Sequence, residues 1–597
     1  MANSRTTAVL TPGLRLILRF FVNNLIPVSS VWLLSRLLTA YNESLRIPSG
    51  LVALAAILSI PASFAFRIVV KNLRTRRAAQ RVGAILPPRW DGRSFGNFDL
   101  LQHTVDRFQN GYIGEGIWDK IDELGHLHSI DILWNRMYAT NDADVLKTIL
   151  ATDFANFAKG EGLRETLNSV LGTGVFNADA DLWKFHRTMT RPYFSRDRIS
   201  HFELFDAHAA VAIDKMKGRF KDGHAVDFQD LINRFALDSA TEFLFGTSVH
   251  SLKSELPYAH NDSVYSQFAR PHDAAEKFSH AVFGVQEALA MRLRLGGIWP
   301  LQEIRRDASA EHMQVIDEFL QPILTEAIAK NRDTGVPKGV EKLDEEHETL
   351  LDHLVKLTDD PVLLHDETLN ILIAGRDTTA STLSLVVYMM CLYPDVFKRL
   401  RAEVLETLGS SQTPSFDDVR KMKYLRAVIN ETLRLYPIVP FNARVAVNDT
   451  TLPNPTDPTG PRVFVPANTV VAYSVLLMQR RKDYWGPDAL SFDPDRWLDE
   501  RLNKYFARNP FIFIPFNAGP RICLGQQFAY NEMSFFLIRL LQNFSSLEMD
   551  LAAQPMDSRA PREWASAEGQ QGKEKIIPKC LLTLFLKGGL WVKMSEE

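Results

Sequence analysis

The chain runs to 597 residues, 46% of them hydrophobic and 23% charged, with a formal net charge of −3 at pH 7. That length exceeds a single average domain and supplies enough apolar residues for a sizeable core, while the near-balanced charge excludes the basic composition of a nucleic-acid binder. Three cysteines, Cys391, Cys523 and Cys580, are too few for a disulfide framework and point to a reducing compartment.

The N-terminal end differs from the rest. Residues 14–38 are apolar but interrupted by Arg15, Arg19, Asn23, Asn24, Pro27 and Arg36, which predicts an interfacial amphipathic segment rather than a full span. Residues 50–70 carry one charge, Arg67, and are long enough to cross a bilayer as a transmembrane helix, with Pro61 as a kink. Lys71, Arg74, Arg76, Arg77 and Arg81 come next without an acid among them, so the positive-inside rule places the remainder of the chain in the cytosol. No small-residue cleavage site follows a compact apolar core near the start, so no cleaved signal peptide is expected. Pro87-Pro88 stiffens the exit, and the division expected is an anchor over 1–88 and a catalytic body over 89–597.

The body reads as mainly α with a small β region. Amphipathic helical runs cover 202–220, 314–330 and 394–408, and strand-like pieces cover 131–138, 463–473, 581–586 and 590–594. Lys587-Gly588-Gly589 between the last two predicts a hairpin. Residues 330–348 and 552–575 are polar and charged and are expected as surface insertions. There is no internal repeat.

Four constellations stand out along this body. Trp183 and Arg187 are one helical turn apart and share a face. Gly375, Asp377 and Thr378 cluster in an otherwise apolar helical run, where Gly375 costs about 1 kcal/mol of helix stability relative to alanine. A buried helix whose Asp and Thr merely satisfy backbone groups is the ordinary alternative, and it leaves the clustering unexplained. Glu431 and Arg434 sit three apart, with Arg496 downstream in Phe492-Asp493-Pro494-Asp495-Arg496-Trp497. Last comes Phe516-Asn517-Ala518-Gly519-Pro520-Arg521-Ile522-Cys523-Leu524-Gly525, just before a helical run. The histidines His126, His128, His347 and His353 lack a metal-ligand spacing, and no glycine-rich stretch forms a nucleotide loop.

The spacing F-x-x-G-x-R-x-C-x-G resembles the haem-binding signature of the cytochrome P450 family. The run Ala374-Gly375-Arg376-Asp377-Thr378-Thr379 resembles that family's oxygen-groove motif, and Glu431 to Arg434 its E-x-x-R. The resemblance covers roughly residues 89–597. It implies the cytochrome P450 fold, with haem b between the helix around Gly375 and the helix after Cys523. Cys523 would be the thiolate ligand of iron, favoured by the following helix N-terminus, and Phe516 would shield its sulfur. Gly519 and Gly525 would let the backbone approach the porphyrin. Trp183, Arg187, Arg444 and Arg521 would meet the propionates. Thr378 and Asp377 would handle oxygen and protons, and Gly375 would open space for dioxygen. Glu431, Arg434 and Arg496 would form a structural cluster, with Asp495 departing from the family's usual P-E-R. Ile438, Val439 and Phe441 would line the substrate channel.

The implied reaction puts one atom of dioxygen into a C–H bond and reduces the other to water. NADPH would act only through a separate NADPH-cytochrome P450 reductase, with cytochrome b5 as a further donor and Lys184 and Arg191 as a candidate docking face. The strings 434–437, 439–444, 473–478 and 480–483 look like the fungal membrane-bound alkane and fatty-acid hydroxylase branch, although Gln479 replaces a histidine expected there. The expectation is hydroxylation of long-chain alkanes or fatty acids, with aromatic xenobiotics as a further class of lipophilic substrate, in the endoplasmic reticulum membrane. Two alternatives stand beside it: a fatty-acid hydroperoxide isomerase or dehydratase on the same fold, and a non-catalytic haem-binding membrane protein.

Overall fold

In a computed structural model, which describes residues 10–42, 47–194, 202–262, 265, 273–333 and 349–596, the longest apolar runs become the longest helices. Helix α1 is Pro12–Tyr41 and α2 is Ser49–Arg81; the two pack against each other, and both are long and apolar enough to cross a membrane. Residues 14–38, expected as an interfacial segment, thus lie within one unbroken helix. Pro27 is absorbed within it, and Arg15 and Arg19 fall in its first turns beside the body, where Arg19 pairs with Glu165 at 3.2 Å. The basic stretch 71–81 likewise continues α2 as part of the same helix.

Both ends of this hairpin rest on the body. A Cβ at Gly13 would lie 2.6 Å from the Pro300 carbonyl oxygen and 2.7 Å from Ile304 Cα, a backbone approach only glycine allows. Thr11 Oγ1 donates to the Ile304 carbonyl at 2.6 Å. On α2, Phe64 meets the Trp134 ring edge-on at 5.0 Å.

The body helices that position the site are α3 Phe98–Asn110, α4 Glu161–Leu171, α5 Ala180–Thr190, α6 Phe228–Phe245, α7 Ala274–Leu295, α8 Ala310–Asp333, α9 Pro361–Leu392, α10 Lys423–Leu435 and α11 Gln526–Asn543. Helix α9 begins with Pro361, and the Asp360 carboxylate accepts from the Val362 N–H at 2.9 Å. Its C-terminal half is apolar all round, the signature of a helix buried on every side. Leu383, Val386, Val387 and Met390 accordingly pack in one core with Phe235 of α6, Leu433 of α10 and Phe536 of α11.

The main sheet uses β1 Arg89–Trp90, β2 Leu127–Ile132, β3 Asn135–Thr140, β4 Phe157–Ala158, β5 Phe441–Ala446 and β6 Val470–Ser474, in the order β1-β2-β3-β6-β5-β4. Strands β2 and β3 are antiparallel with Leu127 opposite Thr140, β3 and β6 are parallel with Met137 opposite Val470, and β5 and β6 are antiparallel with Phe441 opposite Ser474. The strand expected over 463–473 divides after Val465, because Pro466 cannot donate to a ladder and Asn468 turns left-handed at φ 61°.

The hairpin expected across Lys587-Gly588-Gly589 does not form. Strand β7 Pro578–Cys580 pairs with β8 Leu584–Leu586, while β9 Trp591–Ser595 pairs with Ser546–Met549 and Val226–Asp227. The glycines send the chain to another sheet, where Asp227 accepts from the Leu590 N–H at 2.9 Å. Residues 552–575 run along the surface as expected, with Met556 79% exposed, but are pinned to the core at several points. Glu574 is buried and accepts from Tyr112 at 3.0 Å, Tyr436 at 2.6 Å and Tyr388 at 2.7 Å, and Trp564 lies edge-on to Tyr112 at 5.0 Å. Polar composition gives no sign of these anchors, because the polar groups that make them find their partners inside. Of the other expected insertion, residues 334–348 lie outside the described residues.

Candidate active site

The loop before α11 is held by its own backbone. The Cys523 N–H donates to the Phe516 carbonyl at 3.0 Å, and Gly525 forms the N-cap of α11. Gly519 sits at φ 69°, and a Cβ there would collide with the Leu150 carbonyl, so both conformation and space demand glycine. Phe516 packs on Tyr530 at 5.1 Å. Gln479, which departs from the expected histidine, is fully buried: its Nε2 donates to the Leu433 and Arg434 carbonyls at 2.9 and 3.0 Å, and its Oε1 accepts from the Ile514 N–H at 2.9 Å. It ties the end of α10 to the loop.

Cys523 opens onto a cavity of about 2900 Å³ that is shared with Gly375 and Thr378 of α9. Burial pushes the thiol above its ordinary pKa, against the opposing pull of the Gly525 N–H and the Arg187 guanidinium. A coordinated metal ion deprotonates a thiol outright.

On the facing helix, Thr378 Oγ1 donates to the Ala374 carbonyl at 2.7 Å. A Cβ on Gly375 would meet only the Ala240 methyl at 3.8 Å, an ordinary contact. Packing does not require glycine here; what its missing side chain keeps open is the cavity. Asp377 is turned toward α7: Arg376 donates to Oδ1 at 2.7 Å and Gln286 Nε2 to Oδ2 at 2.7 Å. Burial still outweighs both partners and raises its pKa. Gln286, a residue that no sequence signal marks, thus holds the carboxylate. Behind α9, the buried Glu532 of α11 lies beside the Ser239 and Thr379 hydroxyls, and burial pushes it up to about 8.

Four cations line the cavity beside the cysteine loop: Lys159, Arg187, Arg444 and Arg521. Arg521 donates to Asp179 at 2.8 Å and to the Ala178 carbonyl at 3.0 Å, and its guanidinium lies 4.7 Å from the Trp183 ring centre. Arg444 donates to Asn442 Oδ1 at 3.1 Å and the Ala443 carbonyl at 2.8 Å. Burial, then repulsion from Arg444 and Arg521, drives Lys159 well below its ordinary pKa, while burial and Arg444 bring Arg521 down to about 10. Arg187 is lowered chiefly by burial. Among the charged groups acting on Lys159 and Arg521, Asp179 is the carboxylate, so positive charge is in excess. A flat group with two carboxylates of its own and a metal facing Cys523 fits this donor set. Lys159 has no counterpart among the sequence-level candidates, since Phe157-Ala158-Lys159-Gly160 carries no motif.

Glu431, Arg434 and Arg496 are fully buried behind the loop. Arg434 forks onto Glu431 with two bonds of 2.8 Å, Arg496 Nε donates to the same carboxylate at 3.4 Å, and Trp497 Nε1 adds a third donor at 3.0 Å. Burial pushes Glu431 up, yet Arg434 and Arg496 pull it further, and the net direction is down. Asp495 is outside this knot and pairs with Arg399 at 2.8 Å.

The cavity wall includes Ile438, Val439 and Phe441, the last stacked on Trp118 at 6.0 Å, and it continues to Leu10, Pro12 and Leu16 at the start of α1. Lys184 and Arg191 are exposed, with Lys184 paired to Asp181 at 3.2 Å. His126 bonds Asn141 and His353 bonds the Met189 carbonyl; His347 lies outside the described residues.

Comparison with known proteins accords with this geometry. The family model for cytochrome P450 matches residues 109–564. Cytochrome P450 52E1 of Candida apicola is 38% identical over 424 residues, covering 69% of this chain and 76% of the relative. Cytochrome P450 52A10 of Candida maltosa is 40% identical over 423 residues, 69% of this chain and 76% of the relative. Cytochrome P450 monooxygenase himC of Aspergillus japonicus is 34% identical over 458 residues, 76% and 77% of the respective chains.

Proposed function

The chain belongs to the cytochrome P450 family, and from that premise we propose a role for each part of its site. The family uses a haem-thiolate cofactor, takes electrons from a redox partner and acts as a monooxygenase. The substrate RH, dioxygen, two electrons and two protons give ROH and water. Bound haem, here haem b, supplies the oxygen-activating chemistry, with Cys523 as its ligand and Lys159, Arg187, Arg444 and Arg521 on its carboxylates. Phe516 and Gln479 exclude water from the sulfur side and hold the loop in register. Asp377, whose proton affinity is raised by burial, takes up a proton from solvent and releases it toward the cavity, while Gln286 and Arg376 hold its carboxylate in place. Thr378 offers its hydroxyl to the oxygen once its bond to Ala374 loosens. Ile438, Val439 and Phe441 hold the hydrocarbon.

The substrate class is long-chain alkanes or fatty acids, hydroxylated at or near the terminus. The single observation supporting this is that the apolar cavity runs from Cys523 to the foot of the membrane-type hairpin α1–α2. Residues 1–88 serve as the anchor and 89–597 as the catalytic body. Arg15, Arg19, Lys71, Arg74, Arg76, Arg77 and Arg81 gather at the body end of the hairpin, which supports a cytosolic body on the endoplasmic reticulum membrane. NADPH-cytochrome P450 reductase, and cytochrome b5 as a second donor, supply electrons, with Lys184 and Arg191 on the docking face.

The test is incubation of membranes containing the chain with reductase, NADPH, heavy-isotope dioxygen and a mixture of alkanes, fatty acids and polycyclic aromatics, read by mass spectrometry. Heavy oxygen in a hydroxylated alkane or fatty acid, lost in Cys523→Ala, is the expected result. Hydroxylation of the aromatics alone overturns the substrate class. Consumption of a fatty-acid hydroperoxide without NADPH, and no hydroxylation, overturns the monooxygenase roles.

A further inference from the structure

Two arginines in the last turns of α7 differ in how they are satisfied. Arg292 is neutralised by acids: it forks onto Glu303 at 2.7 and 2.8 Å and meets Asp307 at 2.6 Å. Arg294 turns the other way, into the cavity wall, and among the described residues it has no carboxylate. Its guanidinium donates to the Ala290 carbonyl at 2.7 Å and the Cys580 carbonyl at 3.0 Å, and lies 3.2 Å from the Phe108 ring centre. It also meets the Cys580 thiol, and the rest of its five-donor fork is left for a ligand.

Lys579, next to Cys580 on β7, reaches the same corner: its ammonium donates to the Gln109 carbonyl at 2.7 Å and the Gly111 carbonyl at 3.4 Å, at the end of α3. The acid that acts on it, Glu115, is already paired with Arg107 at 3.2 Å. Around both cations the wall is hydrocarbon, with Phe108, Leu293, Leu295, Leu581 and Leu582. Burial brings Arg294 down to about 10, and burial, then repulsion from Lys587, lowers Lys579 against the pull of Glu115. A buried cation facing an apolar cavity is costly unless an anion joins it. The cavity that holds this pair is the one onto which Cys523 opens.

We propose that Arg294, with Lys579 beside it, anchors the carboxylate of a long-chain fatty acid whose hydrocarbon tail lies along the cavity toward Cys523. This rests on the reading of the cavity as a hydroxylation site for long-chain lipids, and within that reading it selects the acid over the alkane. The neutral alkane has nothing to offer the two cations; the acid supplies their missing counter-charge and leaves its methyl end free to reach the side of the cavity lined by Gly375 and Thr378.

The experiment compares palmitic acid, methyl palmitate and hexadecane on the haem-loaded full-length chain in lipid nanodiscs. Dissociation constants are read from the visible absorption change on binding, and products from mass spectrometry. Arg294→Met is expected to weaken palmitate at least about tenfold more than it weakens the methyl ester, with Lys579→Met acting in the same direction and Arg294→Lys restoring part of the loss. Equal weakening of acid and ester would make Arg294 a structural residue and overturn the anchor. So would a wild-type chain that binds the ester as tightly as the acid while hydroxylating both. A wild-type chain that binds and oxidises none of the three overturns the substrate reading itself, and the anchor with it.

Discussion

At the scale of single residues, the site is decided by what each side chain leaves undone. Gly375 leaves room that the protein does not need for packing, since a methyl there would touch only Ala240 at 3.8 Å. Gly375→Ala is therefore expected to raise thermal stability, by up to about 1 kcal/mol. The same variant should lower the yield of product per NADPH consumed, because the methyl intrudes on the space beside Thr378. Parallel unfolding and coupling measurements check both signs; a destabilised variant with unchanged coupling would remove the oxygen-space role. Lys159 teaches the converse. Nothing near it in sequence marks it, and only its position against Arg444 and Arg521 makes it part of a cationic cradle.

At the scale of elements, the buried charges of α10 and α11 behave differently because their partners differ. Glu431 is surrounded by Arg434, Arg496 and Trp497; Arg496 also has Asp488 at 2.9 Å, but Glu431→Gln leaves the buried Arg434 guanidinium without a counter-charge and is expected to cost about 3–5 kcal/mol. Urea unfolding and the fraction of chain retaining haem would register it. Glu532 has only hydroxyls beside it and is pushed up from 4.5 to about 8. Between those two values the folded state binds more protons than the unfolded one, so this group makes stability fall as pH rises from 4.5 toward 8. Glu532→Gln removes that loss. The variant should gain little at pH 4.5 and, relative to wild type, on the order of a few kcal/mol near pH 8. Unfolding curves for both proteins across the range test it, and a gain independent of pH would show that Glu532 is not the titrating group.

At the scale of the whole molecule, one carboxylate ties the C-terminal segment to three distant parts of the core. Tyr112 after α3, Tyr388 in α9 and Tyr436 after α10 all donate to Glu574, joining segments more than 130 residues apart in sequence. Tyr388→Phe removes one donor and should cost about 1–3 kcal/mol, seen as a lower unfolding midpoint. Proteolysis of the same variant should cut first within 552–575, since Tyr388 also accepts from the Lys575 and Ile576 N–H groups at 2.8 and 3.3 Å.

The cysteine loop, the Gly-Asp-Thr cluster of α9 and the Glu431–Arg434 spacing were legible in the sequence because local geometry dictates them. A glycine at positive φ, two side chains one turn apart and a thiol before a helix need only a few neighbouring residues to be recognised. The apolar runs of α2 and α9 were legible for the same reason, since helix length and burial are written in continuous hydropathy. Pairings between distant segments were not legible. The strand 591–595 leaves its expected hairpin for Ser546–Met549, the segment 552–575 is pinned to the core through three tyrosine hydroxyls on Glu574, and Asp377 turns to Gln286 of another helix. Arg292 and Arg294 look alike in sequence, and only the fold gives one two acids and the other none. The sequence by itself thus determined the chemistry of the ligand and the helices that frame it. Tertiary structure alone decided which charges are left unmatched inside the cavity, because matching depends on contacts between residues that the chain order does not bring together.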